Sequence, residues 1–233
     1  MKKGLLFAVG ATLLAGACAP PPIKDYEAFY DHTPYTVVVL PVTNETVDAM
    51  APRYFLSTVG KYLVDRGYYV LPVQLTAEVL EAEGLGEGGS FTGVQPQKFK
   101  EHFGADAFLR ITLKSWDTVY LVLASSVKVA MHYELISTKS GATLWETDHQ
   151  QTIQSQSHGS LLEILVSAAV TATATDYVLM AQTVNKEAFG TLPPGPYNEG
   201  FEEARKRHLE ESKRKKEKAA KEATEKTAKE AKK

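Results

Sequence analysis

Hydrophobic and polar positions change period three times along this chain, and each change predicts a different element. Thr36-Val-Val-Val-Leu-Pro-Val42 is a continuous β-branched run, the pattern of a strand buried on both faces, with Pro41 near its end. The turn-like TNETVDAMAP follows. Phe55, Val59, Tyr62 and Leu63 then recur at helical spacing, which predicts an amphipathic helix that Gly67 can close in the left-handed conformation. Tyr68 to Val73 reads as a second short strand. Strand, helix and strand in this order make a right-handed βαβ unit with parallel strands. Two shorter helices are predicted near Thr76–Glu83 and Pro96–Phe103.

From Asp106 the period becomes two. Ala107, Leu109, Ile111 and Leu113 alternate with Phe108, Arg110, Thr112 and Lys114. Val127, Val129, Met131, Tyr133 and Leu135 alternate with Lys128, Ala130, His132, Glu134 and Ile136. Each pattern predicts a strand with one buried face. Thr138–Gly141 supplies a hairpin turn, and the chain returns through Thr143–Ile153 with Trp145 on the inner face, an antiparallel meander. A long helix is expected from Leu161 to Val184, capped by Ser160. Glu163 and Asp176 leave only twelve uncharged residues between them, against about 20 needed to cross a bilayer. Ala168, Thr171, Ala172 and Thr175 form a stripe of small residues on that helix. It suits close approach to the domain's own sheet or to a second subunit, and so marks the candidate self-association helix.

Charge divides the chain at about residue 200. Of 26 Lys and Arg, 13 fall within 201–233, against 8 of the 28 acidic residues, so an acidic body carries a basic tail. Pro193-Pro194-Gly195-Pro196 reads as the end of the domain. The tail lacks apolar periodicity and reads as a solvated spacer, a frayed helix or a disordered segment. Its Lys and Arg would also suit an anionic envelope polymer, peptidoglycan acids or lipid headgroups. No nucleic-acid partner is expected.

The N-terminus carries the most specific signal. Lys2 and Lys3 precede an uncharged apolar run, Gly4–Leu14, of signal-peptide length. Ala15-Gly16-Ala17 then leads to Cys18, the one cysteine of the chain, followed by Ala19 and three prolines. The stretch resembles the bacterial lipobox. That resemblance implies cleavage before Cys18, a diacylglycerol on its thiol and an acyl chain on its new amine, and Ala19 implies sorting to the outer membrane. Three acyl chains, at about 0.8 kcal/mol per buried CH₂, anchor essentially permanently. The division expected is therefore a signal peptide at 1–17, a lipidated and Pro-rich tether at 18–35, one domain at 36–192, and a break with a charged tail at 193–233.

VVVLPVTNETVD, LVDRGYYVLP, FGADAFLRITLKSW and STKSGATLWET, in this order and spacing, resemble the TolB N-terminal-like fold, over roughly 36–190. With the lipobox and the small-residue helix, the chain resembles the proteobacterial lipoproteins typified by a meningococcal genome-derived antigen. The resemblance implies an α/β fold, a mixed parallel and antiparallel sheet packed with helices. It also implies attachment to the outer membrane on its periplasmic side, a homo-oligomer, and a non-enzymatic role in a secretion- or transport-type envelope complex, with a CsgG-like lipoprotein as a partner. The alternative is regulation of a peptidoglycan synthase, as in a related outer-membrane activator. No catalytic residue is transferred, and no cofactor is expected besides the lipid on Cys18.

The residues themselves agree. There is no G-x-S-x-G, H-E-x-x-H or dinucleotide fingerprint, so no catalytic, metal or cofactor-binding residue is expected. GLGEGGSFTG at 84–93 has no strand leading into it and no Gly-Lys-Ser/Thr after it, and Glu87 would repel phosphate, so it reads as a flexible loop. His132 and His149 could face each other across the hairpin, and Glu134, Glu146 and Asp148 could form a carboxylate pair. Polar residues on an exposed strand face account for both sets more simply.

Overall fold

Strand β1, Thr36–Val39, lies in the interior of the sheet because both its faces are apolar. Val37 and Val39 point into one core and Val38 and Leu40 into another, as a strand covered on two sides requires. This is a computed structural model, and it describes residues 26–86, 91, 93–121, 124–155 and 175–230. Among the described residues the strands are β1, β2 (Thr43–Asn44), β3 (Tyr69–Val70), β4 (Ala107–Leu121), β5 (Ala124–Ser137) and β6 (Thr143–Ser155). Their order is β3-β1-β4-β5-β6, with β2 paired to β4 where β1 has ended. β1 runs parallel to β3 and β4, and β4-β5-β6 is an antiparallel meander. The mixed α/β architecture is therefore as expected.

Helices cover the sheet unequally. On the larger core's side lie α1 (Glu27–His32), α2 (Ala51–Asp65) and α5 (Thr175–Phe189). Phe55, Val59 and Leu63 of α2 and Ala181, Val184 and Phe189 of α5 meet Leu109, Ile111, Val129, Tyr133 and Trp145 of the sheet. On the other side α3 (Val73–Ala82) and α4 (Pro96–Phe103) cover only the β1 end. Leu80, Phe91 and Phe99 there enclose Val38, Leu40, Phe108 and Ile136. Phe108 and Ile136, expected on a polar face, are thus buried in a second core. Phe91 also pins the 84–93 loop to the domain, its ring 6.2 Å from that of Phe99. The loop's residues 87–90 and 92 lie outside the described residues.

Two bulges explain where strict alternation fails. Leu113 opposes Met131 and Ser115 opposes Ala130, so Lys114 is an extra residue, and Trp116 regains the inner face. A second irregularity, between Leu135 and Ile136, gives β6 the extra residue Leu144, so Leu144 and Trp145 are both buried.

The element boundaries differ from the sequence reading in several places. Val73 opens α3 instead of ending β3, because Pro72 occupies the N-cap. The helix predicted to stop at Val184 runs on to Phe189; its predicted start, with Ala168, Thr171 and Ala172, lies outside the described residues. The tether read from 18 to 35 gives way, by residue 27, to α1, whose Phe29 and Tyr30 are buried.

The prolines after Leu192 do not end the domain either. The Tyr68 hydroxyl donates to the Pro193 carbonyl at 2.8 Å, and the Gly195 and Tyr197 amides donate to Arg66 and Gly67 carbonyls. This strap crosses so close to Gly67, at φ +88°, that a β-carbon there would lie 2.4 Å from the Asn198 nitrogen. It leads into α6, Phe201–Glu230, with Phe201 buried.

Candidate assembly surface

The face of β4-β5-β6 that α3 and α4 leave uncovered carries a charge network. Arg110 grips Glu134 with two hydrogen bonds, Nε to Oε2 at 2.7 Å and Nη2 to Oε1 at 3.0 Å. Lys114 Nζ donates to Asp148 Oδ1 at 3.0 Å, and His132 Nδ1 lies at the same distance from that oxygen. The Arg110 hydrogen bonds hold the Glu134 carboxyl below the usual carboxylate range, against desolvation. The Lys114 hydrogen bond does the same for Asp148.

Neither candidate constellation forms. His132 opposes Asp148 and His149 opposes Met131, so the two histidines stand on opposite faces of the sheet. His149 turns to the α5 side, with Nε2 3.5 Å from Glu187. Glu134 and Glu146 do stand opposite each other, but a general acid needs a raised pKa and Glu134 is lowered. Among the described residues no group of three His, Cys, Asp or Glu could hold a metal ion. No helix among them is long and apolar enough to cross a membrane.

The outer edge of β6 offers a different kind of site. β6 is the last strand in the sheet, and among the described residues no strand pairs with its far side over thirteen residues. An open hollow of about 390 Å³ runs beside it, lined by Tyr26 and by Thr143, Leu144, Trp145, Glu146, Thr147 and Asp148. Unpaired backbone groups along such an edge can accept another strand.

The family of GNA1162-like proteins, described as "Putative lipoprotein GNA1162-like", matches residues 24–192. The chain belongs to this lipoprotein family. It is similar to the lipoprotein NMB1124/NMB1162 of Neisseria meningitidis serogroup B, at 30% identity over 200 residues, 84% of this chain and 93% of that one. The crystal structure of lipoprotein GNA1162 from Neisseria meningitidis matches at 31% identity and a TM-score of 0.50, covering 61% of this chain and 99% of that one. A PelC dodecamer from Paraburkholderia phytofirmans is similar at 15% identity and a TM-score of 0.43, covering 67% of this chain and 85% of that one; a likeness at this level bears no functional argument.

Membership of the GNA1162-like family supports a membrane-anchored envelope protein. Of the residues named from sequence, Cys18 and the stripe residues Ala168, Thr171 and Ala172 lie outside the described residues, and Thr175 opens α5. The GNA1162-like match ends at residue 192, so α6 lies beyond it.

The contact of α6 with α1 was missed from sequence. Tyr30 lies 6.1 Å from Phe201 and 4.9 Å from His208 by ring centroids, and Tyr26 lies 6.4 Å from His208. Lys216 Nζ donates to Glu27 Oε1 at 2.8 Å. The signal for it was the pair Phe201 and His208 in a mostly charged stretch. Its spacing is too sparse to register as an amphipathic helix.

Proposed function

We propose that this chain is a non-enzymatic, lipid-anchored component of a cell-envelope assembly, held by Cys18 at the periplasmic side of the outer membrane and joining partners through the β6 edge. The observation that carries the reading is that edge: among the described residues no strand pairs with the far side of β6, and a hollow lies beside its first six residues, Thr143 to Asp148. The first partner expected is a second copy of the chain, with another envelope lipoprotein, CsgG-like in kind, beside it. The stripe Ala168, Thr171, Ala172 and Thr175 is a second self-association surface in this reading. The lipid on Cys18 is its sole non-peptide group. Polar groups on the open sheet face pair with one another, which suits a solvated surface better than a reactive one.

A photo-crosslinking residue placed at Glu146, Asp148 or Gln150, with Val47 as a control, tests the edge in intact cells. The expected products are the crosslinked homo-oligomer and envelope proteins, from the β6 positions alone. No product at any β6 position, with a monomer by light scattering, would overturn the assembly reading. If the crosslinked partner is instead a peptidoglycan synthase, whose rate rises when the chain is added, the regulatory alternative replaces it. Palmitate incorporation, lost in Cys18→Ala, checks the anchor.

A further inference from the structure

We infer that the basic block Lys213–Lys221 of α6 docks on anionic phospholipid headgroups of the same membrane that holds Cys18. The inference rests on the proposed anchoring at Cys18 and adds a second, electrostatic attachment to it. Six of the nine residues in the block are basic, Lys213, Arg214, Lys215, Lys216, Lys218 and Lys221, and one, Glu217, is acidic. All six basic residues are exposed. The preceding stretch is balanced, with Glu202, Glu203, Glu210 and Glu211 against Arg205, Lys206 and Arg207, so the positive charge is concentrated in the block. At 1.5 Å per residue it occupies about 12 Å of helix, comparable with the screening length of about 10 Å at about 0.1 M salt, so neighbouring charges of the block act together.

Tertiary structure sets this block beside the start of α1, nine residues along the chain from Cys18. Phe201 and His208 pack on Tyr30, and Lys216 reaches Glu27, the first residue of α1. Tyr26 follows Cys18 by eight residues. Covalent geometry limits that span to about 29 Å however it is arranged. An anchor at Cys18 therefore keeps the block within reach of the bilayer surface and raises the local concentration of headgroups around it. A polybasic patch near a lipid anchor adds its own attraction to an anionic surface, each Lys or Arg contributing. The block has no apolar face to insert, so contact with the surface is peripheral and sensitive to salt. Peptidoglycan also carries negative charge, but its distance from Cys18 is not bounded in this way, and the bilayer is favoured for that reason.

The test uses the chain from residue 18 onward with Cys18→Ala, so that no acyl chain contributes. It is sedimented with vesicles of phosphatidylcholine alone, or of phosphatidylcholine and phosphatidylglycerol in equal parts, and separately with purified sacculi. Binding to the phosphatidylglycerol vesicles at about 0.05 M salt, and release at about 0.5 M, is the expected result. A quadruple variant, Lys213→Gln, Arg214→Gln, Lys218→Gln and Lys221→Gln, should bind at least about tenfold more weakly. Glutamine preserves helix propensity, and unchanged circular dichroism and Tm would show that the fold survives. Equal binding to both vesicle types, or no loss in the variant, overturns the inference. Retention on sacculi without vesicle binding overturns it too and assigns the block to the polymer. Acylation plays no part in this assay, so absence of palmitate on Cys18 would overturn the anchor reading alone.

Discussion

The Tyr133 hydroxyl, on β5, donates a 2.7 Å hydrogen bond to Asn185 Oδ1, on α5, and both residues are 0% exposed. Asn185 passes the connection on, donating through Nδ2 to Thr58 Oγ1 at 2.8 Å and to the Phe55 carbonyl at 3.3 Å. Sheet, α5 and α2 are thus tied through a single polar chain inside an apolar core. Burial pushes the Tyr133 phenol well above its ordinary pKa, so it stays protonated and stays a donor. A buried polar chain of this kind fixes how the two helices sit on the sheet, because any sliding leaves a polar atom unpaired.

Tyr133→Phe tests that bond directly. The ring is kept and Asn185 Oδ1 loses its donor inside the core, so a loss of about 2 kcal/mol is expected. Adding Asn185→Leu should restore part of it, since both polar groups are then gone. Chemical denaturation of the two variants and the double variant measures the coupling.

Gly67 is the second position where one atom decides the outcome. Alanine there meets both a left-handed φ of +88° and the Asn198 backbone at 2.4 Å. The expected cost is about 2 kcal/mol or more, seen as a lower Tm, with the strap 193–200 becoming accessible to protease.

Phe201 distinguishes a spacer from a structural element. It is buried beside Tyr30, at the start of the segment that charge alone marks as tail. Phe201→Ala should cost about 3 kcal/mol, whereas truncation after Lys221 should leave Tm nearly unchanged. Comparison of their thermal melts settles where the domain ends.

Asp106 ties β1 to β4 and gives stability a defined acid limb. Its Oδ2 accepts from the Tyr35 and Thr36 amides, each at 3.1 Å, and its Oδ1 from Lys100 at 2.6 Å. Burial works against ionisation, but the Lys100 hydrogen bond and the two amides outweigh it, so the pKa is lowered. A lowered carboxyl stabilises the fold above its unfolded value of about 3.9, and that contribution is lost as pH falls through the folded value. Asp106→Asn should therefore lose about 1.5 kcal/mol at neutral pH, with the gap to the parent chain narrowing below pH of about 4. Urea titrations across that range provide the check.

Much of the domain is legible in the amino-acid pattern. The βαβ unit and the meander follow from apolar periods of 2.0 and 3.6, and those periods record which face of each element meets the core. Helix α4 falls at Pro96–Phe103 as predicted, since Pro96 and Gly104 punctuate both of its ends. The histidine pair could not be judged this way. A one-residue difference in register moves a side chain through the sheet, and the Leu113 and Leu135 bulges that influence register leave no periodic signal. A sheet edge was an expected contact surface, but not that β6 is the edge strand, because strand order is set by pairing between distant segments.

What the sequence alone determined is local. It determined the alternation that buries Val37 and Val38 on opposite faces and the turn at Gly141, and it carried the lipobox-like stretch at Cys18 that an enzyme would read as a linear segment. Only tertiary structure decided the relations between distant segments. It placed Lys216 on Glu27, Phe201 on Tyr30 and Asn198 against Gly67, and so made an apparent tether and an apparent tail into parts of one body. The physical reason is that α1 and α6 have too few apolar residues to announce a buried face. Tyr30 and Phe201 are buried against each other and Phe29 against Tyr68 and the main core, surfaces that exist only once these distant segments have met.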